Sequence, residues 1–167
     1  METIEQSLVL LKPDTLERGL VGEITQRFER VGLKIVGMKM LQPTQAHAEA
    51  HYTEDLAIRQ GEDVRNTMVK MLTTSPIVAI VFEGIEAVEV IRKMIGSTQP
   101  IAAAPGTIRG DYAHVSFKHA NRKPDGNLYN LIHGSATVEE AKTEIAVWFK
   151  PDELIQHDPA YTKHTLA

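Results

Sequence analysis

A histidine late in the chain stands in a setting that suits chemistry. Residues 130–137 read Asn-Leu-Ile-His-Gly-Ser-Ala-Thr, so an apolar run leads to His133 and a glycine follows at once. Imidazole titrates near neutral pH, which makes a neutral, nucleophilic ring available. Glycine has no Cβ, so Gly134 lets another group approach the ring or lets the chain turn beside it. Most histidines are surface or satisfied core residues, but this setting favours a catalytic role for His133.

Three cationic side chains stand where each could meet a phosphate group. Lys12 follows the first apolar run, Arg92 lies on a predicted helix, and Arg109 lies in segment 104–110, which holds a proline and two glycines. Arginine binds phosphate oxygens through a planar fork and lysine as a point charge. With Thr98, these groups are what a polyphosphate requires. No GxxxxGK[S/T] segment and no GxGxxG after a strand occurs, which excludes those two binding modes.

The composition excludes several classes of protein. The chain has 167 residues, with 18 basic and 22 acidic side chains, a net charge of −4 and no cysteine. No broad positive field is available for nucleic acid or an anionic membrane, and disulfides and thiolate metal sites are ruled out. No apolar stretch reaches membrane-spanning length, and no amino-terminal segment has the pattern of a signal peptide. We expect a cytoplasmic protein with a single domain over residues 1–167.

Hydrophobic spacing predicts the elements that position these residues. Short apolar runs predict strands, and apolar residues that recur at helical spacing predict helices. The predicted strands cover residues 6–11, 33–41, 77–82 and 128–132. The predicted helices cover 21–31 and 87–95, a polar helical stretch that begins at Thr44, a pair of helices within 51–74, and a helix that Thr137 caps. Residues 98–127 are predicted to form a loop, and the polar tail 152–167 is expected to wrap the surface.

This order of elements favours an α+β fold. It suits a four-stranded antiparallel sheet with helices on one face, which is the ferredoxin-like arrangement, with an added helical hairpin. Periodicity alone leaves a small flavodoxin-like fold open. In the favoured arrangement Lys12 lies at the end of the first strand, and His133 directly follows the last one.

Six separated segments of the chain resemble motifs of the nucleoside diphosphate kinases. They are residues 11–14, 17–19, 51–52, 92–98, 105–111 and 130–135. The resemblance extends over nearly the whole chain, and the combination of motifs is very specific. It implies a ping-pong transfer of the γ-phosphate from a nucleoside triphosphate to a nucleoside diphosphate. In that scheme His133 is phosphorylated on Nδ1 between the two half-reactions.

The resemblance also implies a role for each matched residue. The nucleotide-binding residues would be Lys12, Tyr52, Val64, Arg92, Thr98, Arg109 and Asn130, and the catalytic residues His133, Glu144, Lys12 and Ser135. Tyr52 would buttress the site. Glu144 would hold one ring nitrogen of His133, so that the other lone pair faces the phosphorus. Mg2+ would bridge the phosphates, since it prefers water and phosphate oxygens and the sequence offers no dedicated cage.

The chain departs from the common family pattern in the pocket for the base, in one loop and at residue 136. Val64 stands where most members have a phenylalanine that stacks on the nucleobase, which predicts weak base discrimination and somewhat weaker binding. The segment between Arg109 and Asn130 is longer than in commoner members, with the insertion near residues 114–126. Ala136 also replaces the acid that commonly follows the serine.

Other functions and the state of assembly are constrained less strongly. The alternative to the kinase is a catalytically silent, regulatory nucleotide-binding homologue. The negative charge argues against nucleic acid as the main partner, and no membrane partner is expected. Family resemblance implies a homo-oligomer, a dimer-based tetramer or hexamer, but the sequence does not decide between them.

Overall fold

The computed structural model of the chain describes residues 4–165. Its strands are β1 (Ile4–Leu11), β2 (Lys34–Leu41), β3 (Ile77–Ile85) and β4 (Ile132–Gly134). Its helices are α1 (Pro13–Glu17), α2 (Val21–Arg30), α3 (Gln45–His51), α4 (Glu54–Gln60), α5 (Glu62–Thr73), α6 (Ala87–Ile95), α7 (Ile108–Tyr112), α8 (Phe117–Ala120), α9 (Val138–Trp148) and α10 (Thr162–Thr165). Short 3-10 turns cover Pro100–Ala102 and Pro151–Glu153. The predictions for 1–167 and 152–167 extend outside the described residues at the chain ends.

The strands form one antiparallel sheet in the order β2-β3-β1-β4. β1 pairs with β3 and β4, and β3 pairs with β2, in each case antiparallel. The pairing sets Leu10 of β1 opposite His133 of β4. This topology confirms the ferredoxin-like α+β fold and excludes the flavodoxin-like alternative, which needs parallel strands.

Helices cover both faces of the sheet, whereas the sequence pattern had favoured one face. Val9 and Leu11 of β1 belong to a core cluster that includes residues of α2 and α6. Leu8 and Leu10, which alternate with them, belong to a second cluster with residues of α3, α5 and α9. Successive side chains of a strand point to opposite faces, so the continuous apolar run of β1 serves two cores.

The last strand begins later than its apolar run predicts. Residues 128–131 are not strand, and β4 starts at Ile132. Leu131 is fully buried in the core but has a left-handed backbone with φ of 70°. Its N–H donates to Oδ2 of Asp14 at 2.9 Å, and its carbonyl accepts from the Lys12 N–H at 2.8 Å. The apolar run is therefore explained by burial, while its backbone groups bind the start of α1.

Two short helices lie within residues 98–127, where the sequence predicted a loop. Thr107 caps α7 by accepting a hydrogen bond from the Gly110 N–H, and Ser116 caps α8 by accepting one from the His119 N–H. Each helix has only four or five residues, too few to establish a hydrophobic period. The capping residues were the only local signal for them.

The carboxyl-terminal segment runs along β2. The Ile155 N–H donates to the Val36 carbonyl at 2.7 Å, and Lys39 Nζ lies 2.7 Å from Oε1 of Glu153. β2 is an edge strand, so this segment covers backbone groups that would otherwise be open to another chain. Within residues 4–165, no helix combines the length and the apolar character that crossing a membrane requires.

Candidate active site

His133 is the middle residue of β4, which is an edge strand of the sheet. Gly134 beside it allows α6 to pack closely against this strand. A Cβ at Gly134 would lie 2.7 Å from Cδ1 of Ile95 and 3.1 Å from Cγ2 of Ile91. The glycine thus admits the helix behind the strand, a role different from the two that the sequence suggested, approach to the ring or a turn of the chain.

Glu144 of α9 faces one nitrogen of the His133 ring. Nε2 of His133 is buried and lies 2.8 Å from Oε1 of Glu144, within hydrogen-bond distance but not at the angle of a formed bond. Ser135 donates its hydroxyl proton to the other carboxylate oxygen, Oε2, at 2.5 Å. Rotation of the ring would align Nε2–H with Oε1. A ring held in this way leaves Nδ1 as the nitrogen for chemistry.

His51 is a member of this cluster that received no role from the sequence. Its ring lies 4.5 Å from that of His133 at a nearly perpendicular angle of 86°, and its Nδ1 lies 3.5 Å from Oε1 of Glu144. Nε1 of Trp148 donates to the same Nδ1 at 3.4 Å. His51 therefore packs edge-on against the His133 ring and limits its movement. Its only sequence signal was its place beside Tyr52 in a matched motif.

Tyr52 also packs against His51. The two ring centroids are 4.7 Å apart, and Tyr52 is buried. Within the described residues its hydroxyl has no hydrogen-bond partner, and burial raises the pKa of the phenol above its ordinary value. The hydroxyl therefore stays protonated, and it can donate to a group that enters the site.

Burial keeps the His133 imidazole neutral. Desolvation of the ring, followed by the charge of Lys12, lowers the pKa of His133 well below 6.5. Burial and the neighbouring His133 ring lower the pKa of His51 in the same direction. A neutral ring keeps a lone pair on one nitrogen, so the resting state of His133 is the nucleophilic one.

Lys12, Asn130 and Thr98 form a connected chain. Nζ of Lys12 donates to Oδ1 of Asn130 at 2.7 Å, and Nδ2 of Asn130 donates to the Thr98 carbonyl at 2.9 Å. Burial, followed by repulsion from Arg109, lowers the pKa of Lys12 to about 8. The ammonium group is therefore still mostly charged at neutral pH, but it loses its proton more readily than an ordinary lysine does.

Arg109 of α7 hydrogen-bonds to the backbone of two other segments, a structural role that its place in a predicted loop did not suggest. Its three guanidinium nitrogens donate to the carbonyls of Asn130 at 3.1 Å, Gly96 at 3.1 Å and Ile132 at 2.6 Å. Burial, followed by repulsion from Arg92, lowers its pKa to about 10. A guanidinium has five N–H donors, so two remain for an anion. Arg109 therefore holds the backbone on both sides of Leu131 while keeping donors free.

Arg92 is a third cationic side chain near β4. It lies on the last turn of α6, and its Nη1 donates weakly to the Gly134 carbonyl at 3.5 Å. The structure thus brings seven of the predicted residues into contact with one another or with the segment around His133: Lys12, Arg92, Arg109, Thr98, Asn130, Ser135 and Glu144. Tyr52 meets this group only through the ring of His51.

A cleft of about 450 Å³ opens beside this cluster. Its polar end includes Lys12, Thr98 and Asn130, and its walls include Val64. Val64 lies on α5, is 39% exposed and lines the same cleft as Lys12, Thr98 and Asn130, whereas His133 is not among the described residues that line it. The cleft has the size of a small-molecule site.

One group in the described part of the chain could hold a metal ion. Possible ligand atoms of His51, His133 and Glu144 lie within 4.8 Å of one another. Two imidazoles and one carboxylate suit a transition metal, whereas Mg2+ prefers oxygen ligands. This cluster is therefore not a protein cage for Mg2+.

The fold and the site together define a phosphotransferase class of enzyme. An antiparallel α+β sheet carries a neutral histidine whose Nε2 faces a carboxylate, and three cations converge beside it. Phosphoryl transfer needs positioning and charge neutralisation more than further covalent help, which is what these residues supply.

Comparison with known proteins identifies the family. The family model described as nucleoside diphosphate kinase matches residues 5–154. The nucleoside diphosphate kinase of Borreliella burgdorferi is 44% identical over 155 residues, covering 92% of each chain. A structure of the Borrelia burgdorferi enzyme, a transition state mimic with bound vanadate and ADP, has a TM-score of 0.94 at 42% identity and covers 97% of this chain and 96% of that one. A halophilic enzyme from Halobacterium salinarum in complex with CDP has a TM-score of 0.82 at 36% identity, with coverage of 97% and 98%.

The chain belongs to the nucleoside diphosphate kinase family. The resemblance that the six motifs carried is thereby confirmed.

Proposed function

We propose that the chain transfers the γ-phosphate of a nucleoside triphosphate to a nucleoside diphosphate through phospho-His133. The observation that carries this assignment is the position of Nε2 of His133, 2.8 Å from Oε1 of Glu144. That contact leaves Nδ1 as the nucleophile. A structural relative bound to ADP and vanadate supports the same chemistry in this fold.

In the first half-reaction the Nδ1 lone pair of His133 attacks the γ-phosphorus. The bond between that phosphorus and the oxygen bridging it to the β-phosphorus breaks, and its electron pair leaves on the nucleoside diphosphate. The phosphorylated ring keeps its proton on Nε2, so positive charge develops beside the Glu144 carboxylate, which stabilises it. A second nucleoside diphosphate reverses these steps, with an oxygen of its terminal phosphate attacking the phosphorus and the ring regaining its lone pair.

The cationic residues would stabilise charge on the transferring group. Lys12 and Arg92 contribute a point charge and an exposed guanidinium, and Arg109 contributes its two remaining N–H groups. Fixed donors aimed at developing charge supply most of the rate in phosphoryl transfer. Thr98 and Asn130 would contact the phosphates or the sugar, Tyr52 would buttress the site and Ser135 would orient Glu144.

The donor set fits Mg2+ only as an ion that the nucleotide carries. Lys12, Thr98 and Asn130, which line the cleft, are a cation and two neutral groups, and Asp63 is the single carboxylate among the described lining residues, too few to form a cage for the ion. Such a lining does not hold a bare metal ion but accepts phosphates. Mg2+ bound to phosphate oxygens would neutralise part of their charge and orient the chain of phosphates.

Several broader properties belong to the same proposal. We propose a cytoplasmic enzyme that acts as a homo-oligomer built from dimers, with one catalytic domain per chain. Residues 114–126 would be an insertion and residues 152–167 a polar tail. Val64 would line the pocket for the base.

The experiment is transfer of labelled γ-phosphate from Mg-ATP to GDP by the purified chain, with analysis of protein-bound label. The proposal expects rapid formation of GTP and an acid-labile, alkali-stable phosphoprotein. Nucleotide binding with neither product nor label would replace it with the catalytically silent, regulatory homologue.

A further inference from the structure

An aromatic side chain lines the cleft although position 64 has none. Phe117 of α8 is the only aromatic residue among the described residues that line this cavity. The other apolar lining residues are Leu56, Val64, Met68, Met71 and Leu128. Phe117 is 48% exposed, so about half of the side chain remains accessible to a ligand.

The position of Phe117 is fixed with respect to the phosphate end. Its backbone N–H donates to Oε1 of Gln99 at 2.8 Å, and Gln99 directly follows Thr98. The hydroxyl of Ser116 accepts from the His119 N–H at 3.2 Å and so caps α8. The Phe117 ring therefore belongs to a capped helical turn that is hydrogen-bonded to the segment containing Thr98 and Gln99.

The opposite lining comes from a different part of the fold. Val64 and Met68 lie on α5, one turn apart, and both line the same cavity as Phe117. A base that enters this cavity from the polar end meets the aliphatic side chains of α5 and the Phe117 ring. An aliphatic side chain offers a base less contact than an aromatic face does.

We infer that Phe117 is the stacking platform for the nucleobase and replaces the aromatic group missing at Val64. The inference rests on the proposed function, because it places the base of the same nucleotide. Stacking tolerates every base, since each has a π-face. The site would thus bind purine and pyrimidine nucleotides with little discrimination, but without the weaker affinity that Val64 alone predicts.

Calorimetry of the unphosphorylated protein separates stacking from phosphate binding. The ligands are ADP, GDP, CDP and ribose 5-diphosphate, which lacks a base. The variants are Phe117→Ala, Phe117→Leu, which keeps an apolar group of similar size, and Phe117→Tyr, which keeps the ring. Ile58→Ala is the matched control, because Ile58 is 81% exposed on the neighbouring helix α4 and does not line the cleft.

We expect Phe117→Ala and Phe117→Leu to weaken binding of all three nucleotides about 5- to 100-fold, the range for loss of one base stack. Binding of ribose 5-diphosphate should stay unchanged, and Phe117→Tyr should bind like the wild type. Unchanged nucleotide affinity in Phe117→Ala would overturn the inference. An equal loss for ribose 5-diphosphate would overturn it as well, because the effect would then be on the loop.

The two proposals fail in distinguishable ways. A wild-type protein that transfers phosphate while the Phe117 variants bind normally contradicts only the stacking role. A wild-type protein that binds nucleotides through Phe117 but takes no label from ATP contradicts only the kinase. A wild-type protein that binds none of the four ligands contradicts both.

Discussion

The two ends of the proposed nucleotide cleft are built in opposite ways. At the phosphate end, five polar side chains are buried and bonded to one another or to the backbone: Lys12, Arg109, Asn130, Ser135 and Glu144 are each at most 6% exposed, whereas Arg92 and Thr98 are exposed. At the base end, the lining residues Val64 and Phe117 are 39% and 48% exposed. The fold therefore holds the reacting groups in fixed positions, whereas the surface proposed to meet a variable base remains adaptable.

Energetics favours this division. A buried polar group is costly unless it is hydrogen-bonded, so each member of the phosphate end depends on its partners. An exposed apolar side chain has no such dependence. Substitutions at the phosphate end should therefore change both activity and stability, whereas those at the base end should change affinity alone.

Loss of the carrier should have the largest effect. We expect His133→Ala to reduce transfer by about three orders of magnitude or more, because no other group can take its place as nucleophile. Binding of ADP should change little, since the imidazole is the carrier and not the main anion contact. Steady-state transfer and calorimetry with ADP measure the two effects, with His114→Ala, at an exposed histidine, as the control. Turnover of GDP by His133→Ala would contradict the phosphohistidine mechanism.

Arg109 tests whether the phosphate end is also a structural unit. Arg109→Ala should lower the free energy of unfolding by about 3–5 kcal/mol, because two buried carbonyls and one partly buried carbonyl lose a charged donor. Transfer and nucleotide affinity should fall with it. Urea unfolding measures the stability change, and Arg122→Ala, at an exposed arginine, is the control.

The conservative change at this position sharpens the test. Arg109→Lys keeps the charge but not the planar fork, so it should recover only part of the stability. Stability equal to that of the wild type in Arg109→Ala would show that the three backbone bonds contribute nothing net.

The lowered pKa of Lys12 predicts an alkaline limit to activity. Lys12 is charged below its pKa of about 8 and neutral above it, so its attraction for phosphate is lost as the pH rises. We expect kcat/KM, which reports the free enzyme, to fall above about pH 8. Lys12→Arg should flatten this fall, because a guanidinium stays charged. A wild-type profile that stays level to pH 10, or a fall that persists in Lys12→Arg, would contradict the assignment.

The same contrast explains what the sequence could predict. The fold class followed from apolar runs and helical periods, which record burial directly, and the residues around His133 followed from motifs of fixed spacing. The sequence could not place β4, because the apolar Leu131 is buried with a left-handed backbone and not in a strand. It missed α7 and α8, because four or five residues cannot show a period.

Two contacts were out of reach for a related reason. His51 comes close to His133 only through packing of α3 and α9 on one face of the sheet, and no local pattern encodes that approach. Phe117 likewise joins the cleft with Val64 from a segment more than fifty residues away. Spacing along the chain reports neighbours within an element, whereas these contacts depend on how elements meet.

The smallest expected effect tests the base end directly. Val64→Phe would add a second ring to a cleft where Phe117 already offers one, so we expect ADP, GDP and CDP to bind about two- to tenfold more tightly. The gain should be similar for the three bases, since stacking does not read their edges. Ile58→Phe adds a ring outside the cleft and should change nothing. Weaker binding in Val64→Phe would mean that the two walls already enclose the base. If the gain in Val64→Phe is equally large in the double variant with Phe117→Ala, the two rings act independently on the base.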